Sequence, residues 1–555
     1  MADPQETETN HGSPPRLESA YLAPMRGWRL WVTILALFLG LLLSTLETTI
    51  VTTALVTIAS ELGSYDKSNW IVVSYLFSYT GFLIIYARCS DIFGRKSTFL
   101  SALVTFTVFS IACGVARTVD QLIVFRALQG IGGAGIYSMA MAVMAEVTPV
   151  DVIGPVTGLM SSIFALSSIL GPIIGGVLTS RTSWRWVFYL NIPGGGLAIG
   201  LVLWVFPRNE GPLPISISSL NRLDWPGIVL SLAGSIFIIL ALEEGGGDYG
   251  WNSGLIIASF ALCGICWIAF MIWEVFLGFA AHKKHLRVSF ARVMLPVFPV
   301  WLLRRRIVTA SLLSAFLAGF PFMVLIVYLP QRFQIQDGLT PVASGIRMLP
   351  LLLLSAFGAG LGGVVNSRKN ISFYTLLGGV SLQLLGLGLM TTLPTAGGVS
   401  PAQYGYQVIL GLGFGLTLTS LVIISRLEVD ASDLAIMMGA VTQVRVLGGT
   451  VGVSIGQTLL TRCLRRELPG ILSPDEMSAL LLNVASMHEL SPAKQAAAGA
   501  VYGHGFNQQI QLVLYLTGAC WLCVLGTFKR RPVDFKEADR MQPHNRDLNH
   551  AQEAG

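Results

Sequence analysis

Residues 69–116 read NWIVVSYLFSYTGFLIIYARCSDIFGRKSTFLSALVTFTVFSIACGVA. Two apolar runs, 69–87 and 97–116, flank a short turn that carries Arg88, Arg95 and Lys96 with one acid, Asp91. Each run is about 20 residues long, the length an α-helix needs to cross the hydrocarbon of a bilayer. Basic residues in a short loop between two such runs mark the cytosolic side. The stretch therefore reads as a pair of membrane helices that turns back at the inner face.

Working outward, comparable runs fall at 30–54, 121–145, 155–178, 188–206, 226–242, 254–278, 307–329, 343–365, 371–392, 404–425, 434–460 and 510–528, which makes fourteen predicted spans. The composition agrees, with 53% hydrophobic and only 12% charged residues, where soluble domains carry about 25% charged. The 59 glycines fit helices that must pack closely in lipid. The net charge of +6 sits in short clusters between apolar runs and reads as topology, with no nucleic-acid partner. With the N-terminus inside, Arg26 and Arg29, the 88–96 turn, Lys283–Lys284 with Arg304–Arg306, Arg368–Lys369 and Lys529–Arg531 all face the cytosol. Residues 1–27 are polar, contain Pro14 and Pro15 and lack an apolar core, so a cytosolic tail is expected there and not a cleaved signal peptide.

Spacing divides the chain into six spans, two and six. The expected units are a disordered cytosolic tail (1–29), a six-helix bundle (30–208), two extra helices with cytosolic linkers (209–306), a second six-helix bundle (307–528) and a cytosolic tail (529–555). Two six-span halves related by a repeat form a transporter architecture with its substrate site near the midplane. The polar stretch 467–508 is expected to be an external loop with a partial helix of its own. Asp224, Glu243 and Glu244 lie at the ends of span 7 and are expected to be solvated.

Other classes lack their chemistry. An ATP-driven pump needs G-x-x-x-x-G-K-[ST], and G-R-K-S-T at Gly94–Thr98 has no earlier glycine at that spacing. No histidine lies in a predicted span, and the C-x-x-C pairs Cys263/Cys266 and Cys520/Cys523 sit inside apolar runs, where packing explains them. No enzyme activity, cofactor or metal site is therefore assigned.

A-R-C-S-D-I-F-G-R-K-S-T (87–98), which reads G-x-x-x-D-x-x-G-R-K/R with Ala87 in place of the first glycine, is similar to the loop signature of the major facilitator superfamily, and the resemblance covers residues 30–530. Asp91 can cap a helix and accept from a nearby Arg, Gly94 permits the turn, and Arg95 and Lys96 hold the inner side. The resemblance implies a latch between the two halves, looser at Ala87. Arg126–Ala134, R-A-L-Q-G-I-G-G-A, matches R-x-x-Q-G-x-G and singles out Arg126, Gln129 and Gly130. An Arg in a membrane helix faces the bundle interior with a partner, or snorkels to the outer surface. G-P-I-I-G-G resembles the antiporter motif: Pro172 kinks the helix, while Gly171, Gly175 and Gly176 allow close packing.

Span 1 carries L-E-T-T-I-V-T-T-A-L (46–55), where the fourteen-span drug:proton antiporter branch usually has L-D-x-T-I-V-x-x-A-L. Glu47 for Asp resembles fungal exporters of toxins and secondary metabolites. W-R-W-V-F-Y-L-N-I-P (184–193), Y-L-P-Q-R-F-Q (328–334) and Q-V-R-V-L-G-G-T-V-G (443–452) also match. The resemblance implies an all-α membrane protein that exports small hydrophobic compounds in exchange for protons, as a monomer in the plasma membrane. Uptake or vacuolar transport of a siderophore, amino acid or nutrient is the alternative. Glu47 is the candidate proton carboxylate, with a purely structural partnership to Arg126 as the rival reading. Gln443 and Arg445 are candidate cavity residues on the opposite wall.

Overall fold

The computed structural model describes residues 22, 24–62, 68–149, 152–206, 221–245, 249–282, 294–368, 370–395, 400–430, 433–473, 476–477 and 490–532. Most of both predicted tails, residues 207–220 of the first connector and 283–293 of the basic segment lie outside the described residues.

Long apolar runs without water partners must satisfy their own backbone, and helices do so. The chain forms α1 (Trp28–Leu62), α2 (Ser68–Phe93), α3 (Arg95–Val115), α4 (Val119–Val147), α5 (Ile153–Arg181), a short α6 (Arg185–Tyr189), α7 (Asn191–Val205), α8 (Trp225–Glu244) and α9 (Gly254–His282). It continues with α10 (Arg306–Asp337), a short α11 (Pro341–Ile346), α12 (Leu349–Arg368), α13 (Ser372–Met390), α14 (Ala402–Glu428), α15 (Leu434–Glu467) and α16 (Pro492–Leu525). Among the described residues there is no strand. Among the described residues, thirteen spans are long and apolar enough to cross a membrane; α5, with 29 residues, takes the place of the predicted fifth.

Burial separates centre from periphery. In the spanning window of α4, 94% of residues are buried, against 22% in α9. The outward faces carry large apolar side chains such as Leu203, Ile272, Phe357 and Leu522, a surface that only lipid makes favourable. Helices α2, α3 and α4 pack together, α1 lies on α4, α5 and α7, and α10 lies on α15 and α16 beside the α12–α13–α14 set. The two sets meet where α5 crosses α12 and where α15 crosses α2 and α4. Helix α8 packs on α9 and touches α2 and α15.

Three expectations are corrected here. The outer loop is shorter than 467–508, because α15 runs to Glu467 and α16 begins at Pro492. Ser491-Pro492 followed by A-K-Q-A-A-A-G-A is a helix start in a strong helix former, so residues 492–508 extend the last span. Asp224 is not solvated: it is fully buried, accepts from the backbone N–H of Gly227 at 3.0 Å and from Trp273 Nε1 at 2.6 Å. Burial pushes its carboxyl above the ordinary range, and those two donors oppose the shift. The helix approach expected to be looser at Ala87 is close, because Gly439 of α15 faces it and an added Cβ there would stand 2.7 Å from that of Ala87.

Candidate functional site

Two buried polar clusters occupy the N-terminal set of helices. The outer one is built around Arg126, about two turns into α4. Its Nη1 donates to Glu47 Oε1 and to Gln129 Oε1, each at 2.6 Å, and its Nε donates to the Ile71 carbonyl at 3.1 Å. The guanidinium lies over the Tyr75 ring at 4.4 Å, a favourable stacking geometry. Arg126 and Glu47 are each 1% exposed, so Arg126 is an interior residue and does not snorkel. The second carboxylate oxygen of Glu47 accepts from Asn191 Nδ2 at 2.7 Å, and Ser110 Oγ accepts from Asn191 at 3.2 Å and from Gln129 at 2.8 Å. Charge-assisted hydrogen bonds on both sides are what a desolvated ion pair requires. Gly130 brings α4 onto α2, since an added Cβ would meet Ser78 Oγ at 2.2 Å and the Tyr75 carbonyl at 2.4 Å.

Asn191 and Ser110 were not singled out from sequence. The signal for Asn191 was present in W-R-W-V-F-Y-L-N-I-P, an amide at the head of an apolar run. Ser110 has none, because serine is ordinary in membrane helices.

The inner cluster forms at the turn between α2 and α3. Gly94 takes φ +88°, a backbone conformation side chains disfavour. Asp91 caps nothing, contrary to expectation, because it lies in the last turn of α2, and the residue preceding α3 is Gly94. It accepts instead from Arg95 Nη1 at 2.7 Å and Arg88 Nη1 at 3.3 Å. Arg95, expected at the cytosolic surface, is fully buried and pairs with Glu146 of α4 at 2.8 Å. Lys96 donates to the Leu203 and Phe206 carbonyls at 3.1 and 2.9 Å, neutralising the end of α7. These bonds stay within the N-terminal helices. The link across the halves at the inner side runs through Arg426, which donates to the Thr148 carbonyl at 2.8 Å; Asp433 precedes α15 nearby. Burial pushes the Asp433 carboxyl above its ordinary range, and Arg88 across the interface opposes this.

The antiporter motif divides. Gly171 abuts α1, where an added Cβ would meet Thr49 Oγ1 at 2.1 Å. Gly175 is buried, and its carbonyl accepts from Thr179 at 2.6 Å. Gly176 is exposed and an added Cβ meets nothing within 4 Å, so close packing does not explain it. Pro172 lies within α5; its side chain is outside the described residues.

Arg445 of α15 donates to the Tyr137 hydroxyl of α4, so it bridges the two helix sets. It borders two clefts, one lined by Phe322, Leu352, Gln383 and Phe414, the other by Leu41, Met141, Met144 and Met160. Gln443 is buried with its side-chain nitrogen unpartnered and borders neither cleft. Gln383, unremarked in the sequence, donates to Thr417 Oγ1 at 2.7 Å and leaves its carbonyl oxygen without a partner. The cleft walls are thus apolar with a few polar groups, the make-up of small-molecule sites.

An ion pair at membrane depth in one helix set, with a cleft lined by both sets, fits a multi-pass membrane transporter for small molecules. The chain belongs to the Major Facilitator Superfamily, whose profile matches residues 37–453. It is 43% identical over 515 residues to the MFS-type transporter FPY5 of Fusarium mangiferae, covering 91% of this chain and 85% of that protein. It is 29% identical over 503 residues to the rubrofusarin-specific efflux pump aurT of Gibberella zeae, covering 89% and 88%. The crystal structure of a bacterial homologue of the human lysosomal transporter Spinster, inward-facing and unoccupied, superposes with a TM-score of 0.54 at 15% identity, over 91% of this chain and all of that one.

Proposed function

We propose that the protein is a proton-coupled exporter of small hydrophobic organic compounds, of the toxin, secondary-metabolite or drug class, in the plasma membrane. The observation that carries this reading is the Glu47–Arg126 pair, a carboxylate in the membrane interior held by a charged partner and the Asn191 amide, with Gln129 accepting from the Arg126 side. Burial in low dielectric favours the neutral form of a carboxyl and a neighbouring cation favours the charged one. A carboxylate balanced between these effects takes up a proton when its pairing with Arg126 loosens and releases it when the pairing re-forms. Gln129, Asn191 and Ser110 hold the pair in register in the charged state.

The halves 30–208 and 307–528 rock about the clefts beside Arg445 in this reading. Gly171 and Gly130 supply the close helix contacts on which the N-terminal half moves as a unit. The Asp91–Arg95 turn stiffens its inner end, and Gly439 against Ala87 closes the inner side. The extra helices within 209–306 pack outside. The apolar cleft walls favour hydrophobic substrates, and the name of the Gibberella relative supports export.

The test is accumulation of a panel of fluorescent hydrophobic compounds in drug-sensitive cells expressing the chain, with and without a protonophore. Lower retention that the protonophore abolishes, and that Glu47→Gln removes while the protein stays in the membrane, is expected. Retention raised by the wild-type chain would make it an importer. Export unchanged in Glu47→Gln would refute the role of this carboxylate.

A further inference from the structure

The extension of α16 upstream of its predicted start places His504 on a helix that lies antiparallel to α15. Where the outer end of α15 meets the outer half of α16, three different ligand types converge. Cys463 and Glu467 lie one turn apart on one face of α15, and His504 faces them from α16. One ligand atom from each lies within 4.8 Å of the other two. Cys463 Sγ is 3.6 Å from Glu467 Oε1, and His504 Nδ1 is 3.1 Å from the same oxygen. With metal–ligand bonds of about 2.0–2.3 Å, a tetrahedral zinc site has ligand-to-ligand edges of about 3.3–3.6 Å. Both observed separations sit close to those edges, so an ion enters by small side-chain rotations.

We infer that Cys463, Glu467 and His504 form a binding site for a zinc-class divalent cation on the outer face, tying α15 to α16. The donor set decides the class. A thiolate and an imidazole favour borderline and soft ions, whereas magnesium and calcium demand oxygen ligands. The His504 and Glu467 side chains are 50% and 36% exposed, which opens the site to aqueous ions, while Cys463 is buried and contributes the ligand that water cannot replace. Three protein ligands leave a fourth position for water. Gln508, one turn beyond His504, has its side-chain nitrogen 3.5 Å from His504 Nε2. With Nδ1 on the metal the ring proton sits on Nε2, and the Gln508 amide, turned over, accepts it through its oxygen; partners of this kind orient ligating histidines. A plain His504–Glu467 ion pair accounts for two of the residues; the buried Cys463 thiol, with Glu467 Oε1 at 3.6 Å and the Val501 carbonyl at 3.7 Å as acceptors, brings a third ligand type beside the same carboxylate. Occupancy pins the outer end of the helix that carries Arg445.

The test uses the full-length protein in detergent micelles, stripped with a chelator and titrated with Zn²⁺ against a chromophoric competitor. Co²⁺ serves as the spectroscopic probe. One tightly held Zn²⁺ per chain is expected, with a thiolate-to-Co²⁺ charge-transfer band in the near ultraviolet. Cys463→Ser should abolish the band, and His504→Ala, at an exposed position that folding tolerates, should weaken Zn²⁺ binding at least ~10-fold. Cys523→Ser, which alters a thiol at the other end of α16, should change neither. A wild-type protein without the band, or with binding indifferent to both Cys463→Ser and His504→Ala, would overturn the assignment.

Discussion

Deleting the Glu47 carboxylate alone should destabilise the protein more than deleting its whole ion pair. In Glu47→Ala the Arg126 guanidinium stays buried, with Gln129 and the Ile71 carbonyl as acceptors but no counter-charge. Leaving one member of a buried pair uncompensated costs about 3–5 kcal/mol. Glu47→Gln keeps the volume and an acceptor for Arg126, and Asn191 can turn its amide to meet the new NH₂, so about 1.5–3 kcal/mol is expected, the worth of hydrogen bonds to a charged group. In the double variant Glu47→Ala/Arg126→Leu neither charge remains, and the loss should fall below that of Glu47→Ala alone. Unfolding in mixed micelles by increasing SDS measures these differences. Cys113 provides a local reporter, because its buried thiol donates to Gln129 Oε1 at 3.7 Å and becomes reactive to a thiol-specific dye when the cluster opens. A Glu47→Ala variant as stable as wild type, or a double variant whose loss equals the sum of the single losses within about 0.5 kcal/mol, would refute the buried-pair energetics.

Gly171→Ala should lower the unfolding midpoint and impair transport, since the new methyl collides with Thr49, whereas Gly176→Ala should stay within about 0.5 kcal/mol of wild type; thermal melts of both read the contrast, and equal effects would discount the α1–α5 contact. In the outer loop, hydrogen bonds from Lys494 and the Ser473 backbone hold the Glu476 carboxyl below its ordinary value of 4.5. A lowered folded-state pKa contributes stability above the unfolded value and loses it as pH falls through the folded one. Melts of wild type and Glu476→Gln should therefore diverge near neutrality and converge as the pH drops below about 4.5; a constant gap would contradict the pairing.

Periodicity and charge made the membrane helices legible, because a bilayer penalises every polar group and so writes span and loop into composition. The last span shows where that signal weakens. Residues 492–508 carry Lys494, His504 and Gln508, look too polar for a helix in lipid, and were expected to belong to an external loop with a partial helix of its own. They are helical because their polar side chains find partners on α15 and in the outer loop, among them Glu467 and Glu476. Arg126 and Glu47 were recognisable as a pair because a membrane interior tolerates few ions. Arg95 was misplaced because basic residues in short inner loops are usually solvated, and here Glu146 draws it inward.

The sequence by itself determined the class, the order of the long apolar helices, and that Glu47 and Arg126 lie at membrane depth. Those are properties of each segment and its own solvation. The tertiary structure alone decided which polar groups meet: Asn191 and Ser110 at the Glu47–Arg126 pair, Arg445 across to Tyr137, Gly439 against Ala87, and Cys463 beside His504. Each of these contacts joins residues from different helices. Their coincidence depends on rotation and crossing of packed helices, which no single segment encodes.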